Sequence, residues 1–228
     1  RWHAEVKGTE SSLLELTPDD IREYRRHMQI NEGWTPATIN RRLQAVRKFY
    51  NFAMETGLTE SNPACQVQLI PRPEPGSPRT LAPEEVTGLL QAVEEGGRPS
   101  LVKRDYAIIQ LLLQTGIKLG ELTRLRLSDV QLRGDGEGLL LVGEGDGNKR
   151  RRIPLNSLTC AALRDYLRVR PSSADTQNLF LSQDGSCISG RTVQRLVSVY
   201  AKAAGLEDVS AHVLRHTFAV STLVDTGD

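Results

Sequence analysis

The residues best able to do chemistry in this chain are cations set at regular spacing. Arg22, Arg25 and Arg26 fall on one helical pattern, and Arg41, Arg42, Arg47 and Lys48 on the next, with only Glu23 and Glu32 offsetting them between Ile21 and Tyr50. A helix with an apolar stripe and a basic opposite side can lie along a nucleic acid, where phosphate contacts supply affinity and position. The plain alternative is a solvated surface. A second run, NKRRRIPL, puts Lys149, Arg150, Arg151 and Arg152 at a strand start. Alternate strand residues face opposite ways, so Lys149 and Arg151 share one face and Arg150 and Arg152 the other; edge strands also carry such charges simply to resist aggregation. Near the end of the chain, His212 and Arg215 at i and i+3 share one side of a helical turn.

Elements that could position these groups are legible in the caps and periods. Thr17-Pro18 and Thr35-Pro36 each set a capping hydroxyl before a proline at the first helical position, where the missing N–H costs nothing. The second helix is expected from about Pro36 to Thr56, with Ile39, Leu43, Val46, Tyr50 and Ala53 as its core stripe and Gly57 as its stop. Its other side shows Asn40, Gln44, Arg47 and Lys48. The segment PRPEPGSPRT, with four prolines and a glycine, forbids a continuing helix and reads as a linker. It divides a small helical domain, residues 1–70, from a larger one, residues 81–228, with 71–80 between them. Past the linker, helices are expected from Pro83 to Val93, from about Val102 to Gln114, and on to about Leu125 after a Thr115-Gly116 break. The period then changes to two strands, Gly138 to Val142 and Lys149 to Leu155, a hairpin inside a helical domain. Helices return at about Ser157 to Val169, Gly190 to Ala204 and Val213 to Val224. The fold class is therefore mainly α with a small β-hairpin or sheet in the C-terminal domain.

Composition bounds the rest. A chain of 228 residues has enough interior for real cores, and 29 Lys and Arg against 28 Asp and Glu give a net charge of +1, so only the placement of charge can argue for a polyanionic partner. Cys65, Cys160 and Cys187 are odd in number and lack a C-x-x-C pair, which supports neither a disulfide framework nor a thiolate zinc site. They read as reduced thiols. No apolar run is long enough to span a bilayer and no signal-peptide region opens the chain, so a cytoplasmic protein is expected. An opening Arg1 and a final LVDTGD give the look of a trimmed chain.

Five segments, in order, resemble the tyrosine recombinase or phage integrase family, of the two-domain Xer-like type. TPATINRRLQAVRKFYNFAMETGLTESNP is similar to its core-binding signature, and the linker with RTLAPEEVTGLLQAV to its domain junction. DYAIIQLLLQTGIKLGELTRLRLSDV resembles its first catalytic box, NKRRRIPL the strand after its catalytic hairpin, and AHVLRHTFA its H-x-x-R box. The resemblance implies a helical core-binding domain plus a mixed α/β catalytic domain, closing on double-stranded DNA as a clamp. A tyrosine hydroxyl would attack the scissile phosphate to give a 3′-phosphotyrosine, without metal or other cofactor. Two forked arginines would hold the equatorial oxygens, a hairpin lysine would protonate the leaving 5′-oxygen, and a histidine would assist proton transfer.

Carried onto this sequence, His212 and Arg215 fit the H-x-x-R box, and His216 reads as a supporting or packing residue. Lys118 stands where the pattern T-G-x-R-x-x-E-L has arginine, with Glu121 and Leu122 kept. Lysine keeps the charge and loses the fork, a change that costs about 3 kcal/mol at a transition-state donor site. Asp146 falls where the hairpin lysine belongs, and nearby Lys149 is the candidate substitute or a backbone contact. The candidate DNA contacts are Arg41, Arg42, Arg47, Lys48, Lys149, Arg151 and Arg191. Lys118, His212 and Arg215 are expected to converge on one electropositive hollow between the hairpin and the last helix.

The tyrosines, Tyr24, Tyr50, Tyr106, Tyr166 and Tyr200, all precede the H-x-x-R box and occupy core positions. The reading is a DNA-binding protein of the recombinase class, inactive as given, working with other protomers on paired sites and monomeric without DNA. A naturally repurposed relative and a deliberately altered one fit equally. The alternatives are a non-enzymatic architectural homologue that kept the clamp, and a generic helical regulator.

Overall fold

The computed structural model describes residues 12–71, 78–96, 98–134, 136–143, 150–171 and 177–226. The chain divides into two compact units, Arg1–Gly76 and Ser77–Asp228.

The first unit is built on α1 (Pro18–Ile30) and α2 (Pro36–Glu55). Both start as their capping residues require. The Thr17 hydroxyl accepts the Asp20 N–H while the Asp20 carboxylate accepts the Thr17 N–H, and Thr35 accepts from Thr38. Ile21, Met28, Ile39, Leu43 and Tyr50 form the core with Ala64 and Val67 from the segment that follows; Val46 packs beside them, and Ala53 is buried. That returning segment corrects one expectation. Asn40, expected on the open side of α2, is only 5% exposed: its amide donates to the Ile70 carbonyl at 2.8 Å and accepts the Ile70 N–H at 2.9 Å. Backbone groups laid against a helix need partners, and α2 supplies them from its polar side.

The second unit wraps around α4 (Pro99–Thr115), in which Ala107, Ile108, Ile109, Leu111 and Leu112 are all fully buried. Such a helix must be covered on every side. The cover comes from α3 (Pro83–Gly96), α6 (Ser157–Val169), α7 (Gly190–Ala203) and α8 (Ala211–Thr226). A six-residue α5 (Leu119–Arg124) leads to an antiparallel sheet of β1 (Val130–Leu132), β2 (Gly138–Val142) and β3 (Arg151–Leu155), in that order. Register pairs Leu140 with Val130 on one side and with Ile153 on the other. β1 extends the expected hairpin to three strands. A buried polar knot fixes the helices in place: Asp105 accepts from Arg104 at 2.8 Å and from the Tyr200 hydroxyl at 2.9 Å, while Arg104 also donates to the Leu181 carbonyl at 2.9 Å.

Candidate phosphate site and DNA-facing surfaces

The turn after α4 is where the chemistry-bearing groups gather. Gly116 ends the helix at φ 54°, a left-handed conformation that side chains with a Cβ avoid, and its N–H closes on the Leu112 carbonyl at 3.1 Å. A Cβ there would stand 2.3 Å from Phe218 Cδ1. From the same side of α8, the Arg215 guanidinium donates to the Gly116 carbonyl. Arg215 and Phe218, at i and i+3, thus clamp the H-x-x-R segment onto the turn. Thr217 ties α8 to the segment before α3, accepting the Leu81 N–H at 2.9 Å, and donates within its own helix to the Val213 carbonyl at 2.9 Å.

Lys118 lies two residues beyond Gly116, exposed, at the entry to α5. Its N–H donates to Glu121 Oε2 at 2.7 Å. The same carboxylate receives Arg151 as a two-pronged pair, Nη1 to Oε1 at 2.8 Å and Nη2 to Oε2 at 2.9 Å. The Arg151 guanidinium, helped by the Lys118 N–H, lowers the Glu121 carboxyl from 4.5 to about 2 against the opposing effect of burial. Arg151, expected as a phosphate contact, pairs its fork with Glu121 and so ties the start of β3 to the Lys118 turn. Lys149 and Asp146 lie outside the described residues.

A cleft of about 530 Å³ opens beside this turn. Lys118, Arg124, Arg126 and Arg150 line it together with Glu121, Asp129, Val142 and Asn178, and Arg150 stands 3.8 Å from Asp129. His212 and Arg215 are not among its lining residues. Arg215 approaches the turn through Gly116, while Lys118 faces the cleft. Arg124 and Arg126 escaped sequence reasoning because nothing in their local pattern separates them from ordinary surface arginines.

His212 is exposed and His216 half-buried, and their Nε2 atoms are 2.9 Å apart, with the rings edge-on at 88°. His216, expected to support or pack, is a direct partner of His212, and the i to i+4 spacing was the available signal. The tyrosines are committed elsewhere. The Tyr50 hydroxyl donates to Leu13, Tyr166 to Leu179 at 3.1 Å and Tyr200 to Asp105 at 2.9 Å, while Tyr24 and Tyr106 pack against the two cores. Burial raises the hydroxyl pKa of Tyr50, Tyr106, Tyr166 and Tyr200, which disfavours a phenolate at each.

On the first unit, Arg41, Arg42 and Lys48 are exposed, and Arg42 stacks over Trp34 at 3.9 Å. Arg47, expected as a DNA contact, is half-buried; it donates to the Ala64 and Val67 carbonyls at 3.1 and 2.6 Å and staples the returning segment to α2. Arg191 is exposed in the first turn of α7, which Ser189 caps. Among the described residues, no group of three or more His, Cys, Asp and Glu is placed to hold a metal ion, and no helix is long and apolar enough to cross a membrane.

Comparison with known proteins follows the same division. Residues 79–227 match the model of the phage integrase family, and residues 1–57 match the phage integrase N-terminal SAM-like domain. Tyrosine recombinase XerC of Alcanivorax borkumensis is 35% identical over 217 residues, covering 93% of this chain and 68% of its own. XerC of Thermodesulfovibrio yellowstonii is also 35% identical, over 88% of this chain and 67% of its own. The chain thus spans about two thirds of the length of these relatives. Among solved structures, XerA recombinase is 30% identical over 96% of this chain and 73% of its own, with a TM-score of 0.59. XerH bound to a palindromic difH substrate covers the whole of this chain and 67% of its own, with a TM-score of 0.78 at 21% identity.

Proposed function

This chain belongs to the phage integrase family of tyrosine recombinases, and from that premise we propose that its 228 residues bind duplex DNA through both units and present one phosphate to the Gly116 turn. The observation that carries the reading is the docking of Arg215 on the Gly116 carbonyl, two residues from Lys118. One bond to that carbonyl leaves the rest of a five-donor fork for the equatorial oxygens of a phosphate. His212, one turn earlier and exposed, is assigned proton transfer at the attacking oxygen. Lys118 supplies the second positive charge without a second fork, so transition-state stabilisation falls short of an arginine site by about 3 kcal/mol.

None of the described tyrosine hydroxyls is assigned the attack, since each ring is packed against a core. These 228 residues are proposed to bind DNA without cleaving it, the nucleophile of the family reaction coming from outside them. They would act with further protomers on paired sites. Lys118 in place of arginine favours a second reading, a DNA-binding homologue that has given up the chemistry. A nicked duplex that traps a covalent adduct, offered to the full translated product, separates the two: an adduct supports the enzyme, and its absence supports the homologue. For the 228 residues, the test is Arg215→Ala. The variant should remain folded by circular dichroism and keep most of its duplex affinity, with the salt slope reduced by about one contact. Unfolding of the variant, or an unchanged slope, would show that Arg215 serves structure alone.

A further inference from the structure

The histidine pair on α8 has a geometry that the phosphate reading does not require. His212 and His216 sit at i and i+4, the spacing by which two histidines on one helix face ligate a single metal ion. Two Nε2 atoms 2.9 Å apart cannot both carry a proton along the line between them, so one is a bare acceptor in the neutral pair. The ring centroids are only 4.3 Å apart, closer than two rings aimed straight at each other would stand, so the rings are tilted off that line. Metal–nitrogen bonds of about 2.0–2.1 Å put two adjacent ligand nitrogens about 2.9 Å apart at a right angle and about 3.3 Å apart at the tetrahedral angle. The observed separation already matches the first and lies a few tenths of an ångström from the second.

We propose that His212 and His216 form a two-nitrogen chelate for a divalent transition ion of the zinc class. Water completes the coordination, because no third His, Cys, Asp or Glu joins the pair among the described residues. The ion is therefore exchangeable, a ligand of the surface and not a structural staple. Occupancy ties up the His212 nitrogen, so the ion acts as a reversible inhibitor of phosphate engagement; this last consequence, unlike the chelate, rests on the function proposed above.

Calorimetric titration of the 228-residue chain with zinc chloride tests the chelate in the absence of DNA. One zinc per chain is expected, its Kd raised about tenfold or more by either His212→Asn or His216→Asn, since even losing an outer-sphere partner costs on that order. His27→Asn, which removes the histidine 3.6 Å from Glu32, and Cys65→Ser with Cys187→Ser, which remove the exposed thiols, should leave that Kd unchanged. No saturable binding by the unaltered chain, or binding that survives both α8 substitutions, would overturn the site. Cobalt absorption of the unaltered chain guards against variants that misfold: an imidazole spectrum is expected, and a thiolate charge-transfer band would overturn the assignment. In a third arm, saturating duplex should weaken zinc binding. Zinc bound equally well with and without bound duplex would overturn the inhibitory role and leave the chelate standing, whereas a chain that binds zinc but no duplex would overturn the DNA-binding reading.

Discussion

Replacing Gly116 by alanine tests the clamp that holds the H-x-x-R segment on the turn after α4. Two costs can be read from the site. A side chain with a Cβ at φ 54° pays about 1–2 kcal/mol for the left-handed backbone. The Cβ would also stand 2.3 Å from Phe218 Cδ1, so the ring and α8 must give way, which costs about 1–3 kcal/mol for overpacking. Gly116→Ala should therefore destabilise the second unit by roughly 2–5 kcal/mol, a large part of an ordinary domain's stability. Only the second cost depends on Phe218. In a cycle with Phe218→Ala, the double variant should be more stable than the sum of the singles by about 1–3 kcal/mol, with the backbone cost remaining. Urea denaturation followed by circular dichroism gives the four stabilities. Additive single losses, or a Gly116→Ala loss below about 0.5 kcal/mol, would refute the close approach of α8 to the turn.

Three further variants test individual side chains. A Glu121 carboxyl held at about 2 against an ordinary 4.5 sets a ceiling of roughly 3 kcal/mol, and solvent screening around an Arg151 that is 46% exposed reduces it to about 1–2 kcal/mol. Because the folded value is the lower one, this stabilisation is complete above about pH 4.5 and fades as pH falls toward 2. The stability gap between the unaltered chain and Glu121→Gln should close over that window, and a gap unchanged at pH 2 would contradict the ion pair. On the first unit, Arg47→Ala should cost about 2–3 kcal/mol, because it removes two charged donors from the Ala64 and Val67 carbonyls. Arg41→Ala should leave stability within about 0.5 kcal/mol and instead lower the salt dependence of DNA binding by about one contact; the reverse pattern in denaturation and binding would show that the two arginines had been assigned the wrong roles.

The parts of the fold governed by local rules were legible. Thr-Pro starts and the Gly116 stop follow from hydrogen bonds within one turn, and the buried stripe of α2 follows from its period. What stayed hidden depends on segments distant in the chain. Asn40 and Arg47 lie opposite the stripe, as a helical pattern shows, yet the segment from Pro63 to Ile70 covers them, and no period reveals such a cover. Arg151 belongs by sequence to a charge run; only the folded turn brings Glu121, thirty positions earlier, within reach of both prongs. Gly116 was readable as a break, but its intolerance of a Cβ comes from Phe218 at the far end of the unit. β1 was too short, at three residues, for an alternating pattern to show.

The most direct measurement for the central claim is the affinity of the 228-residue chain for a duplex as sodium chloride rises from 50 to 200 mM, read by fluorescence anisotropy. A protein that tracks the backbone with about 6–10 cationic contacts releases condensed counterions, so its affinity should fall by about three to five orders of magnitude over that range. An affinity that is flat across the same range, or no binding at the lowest salt, would contradict the account.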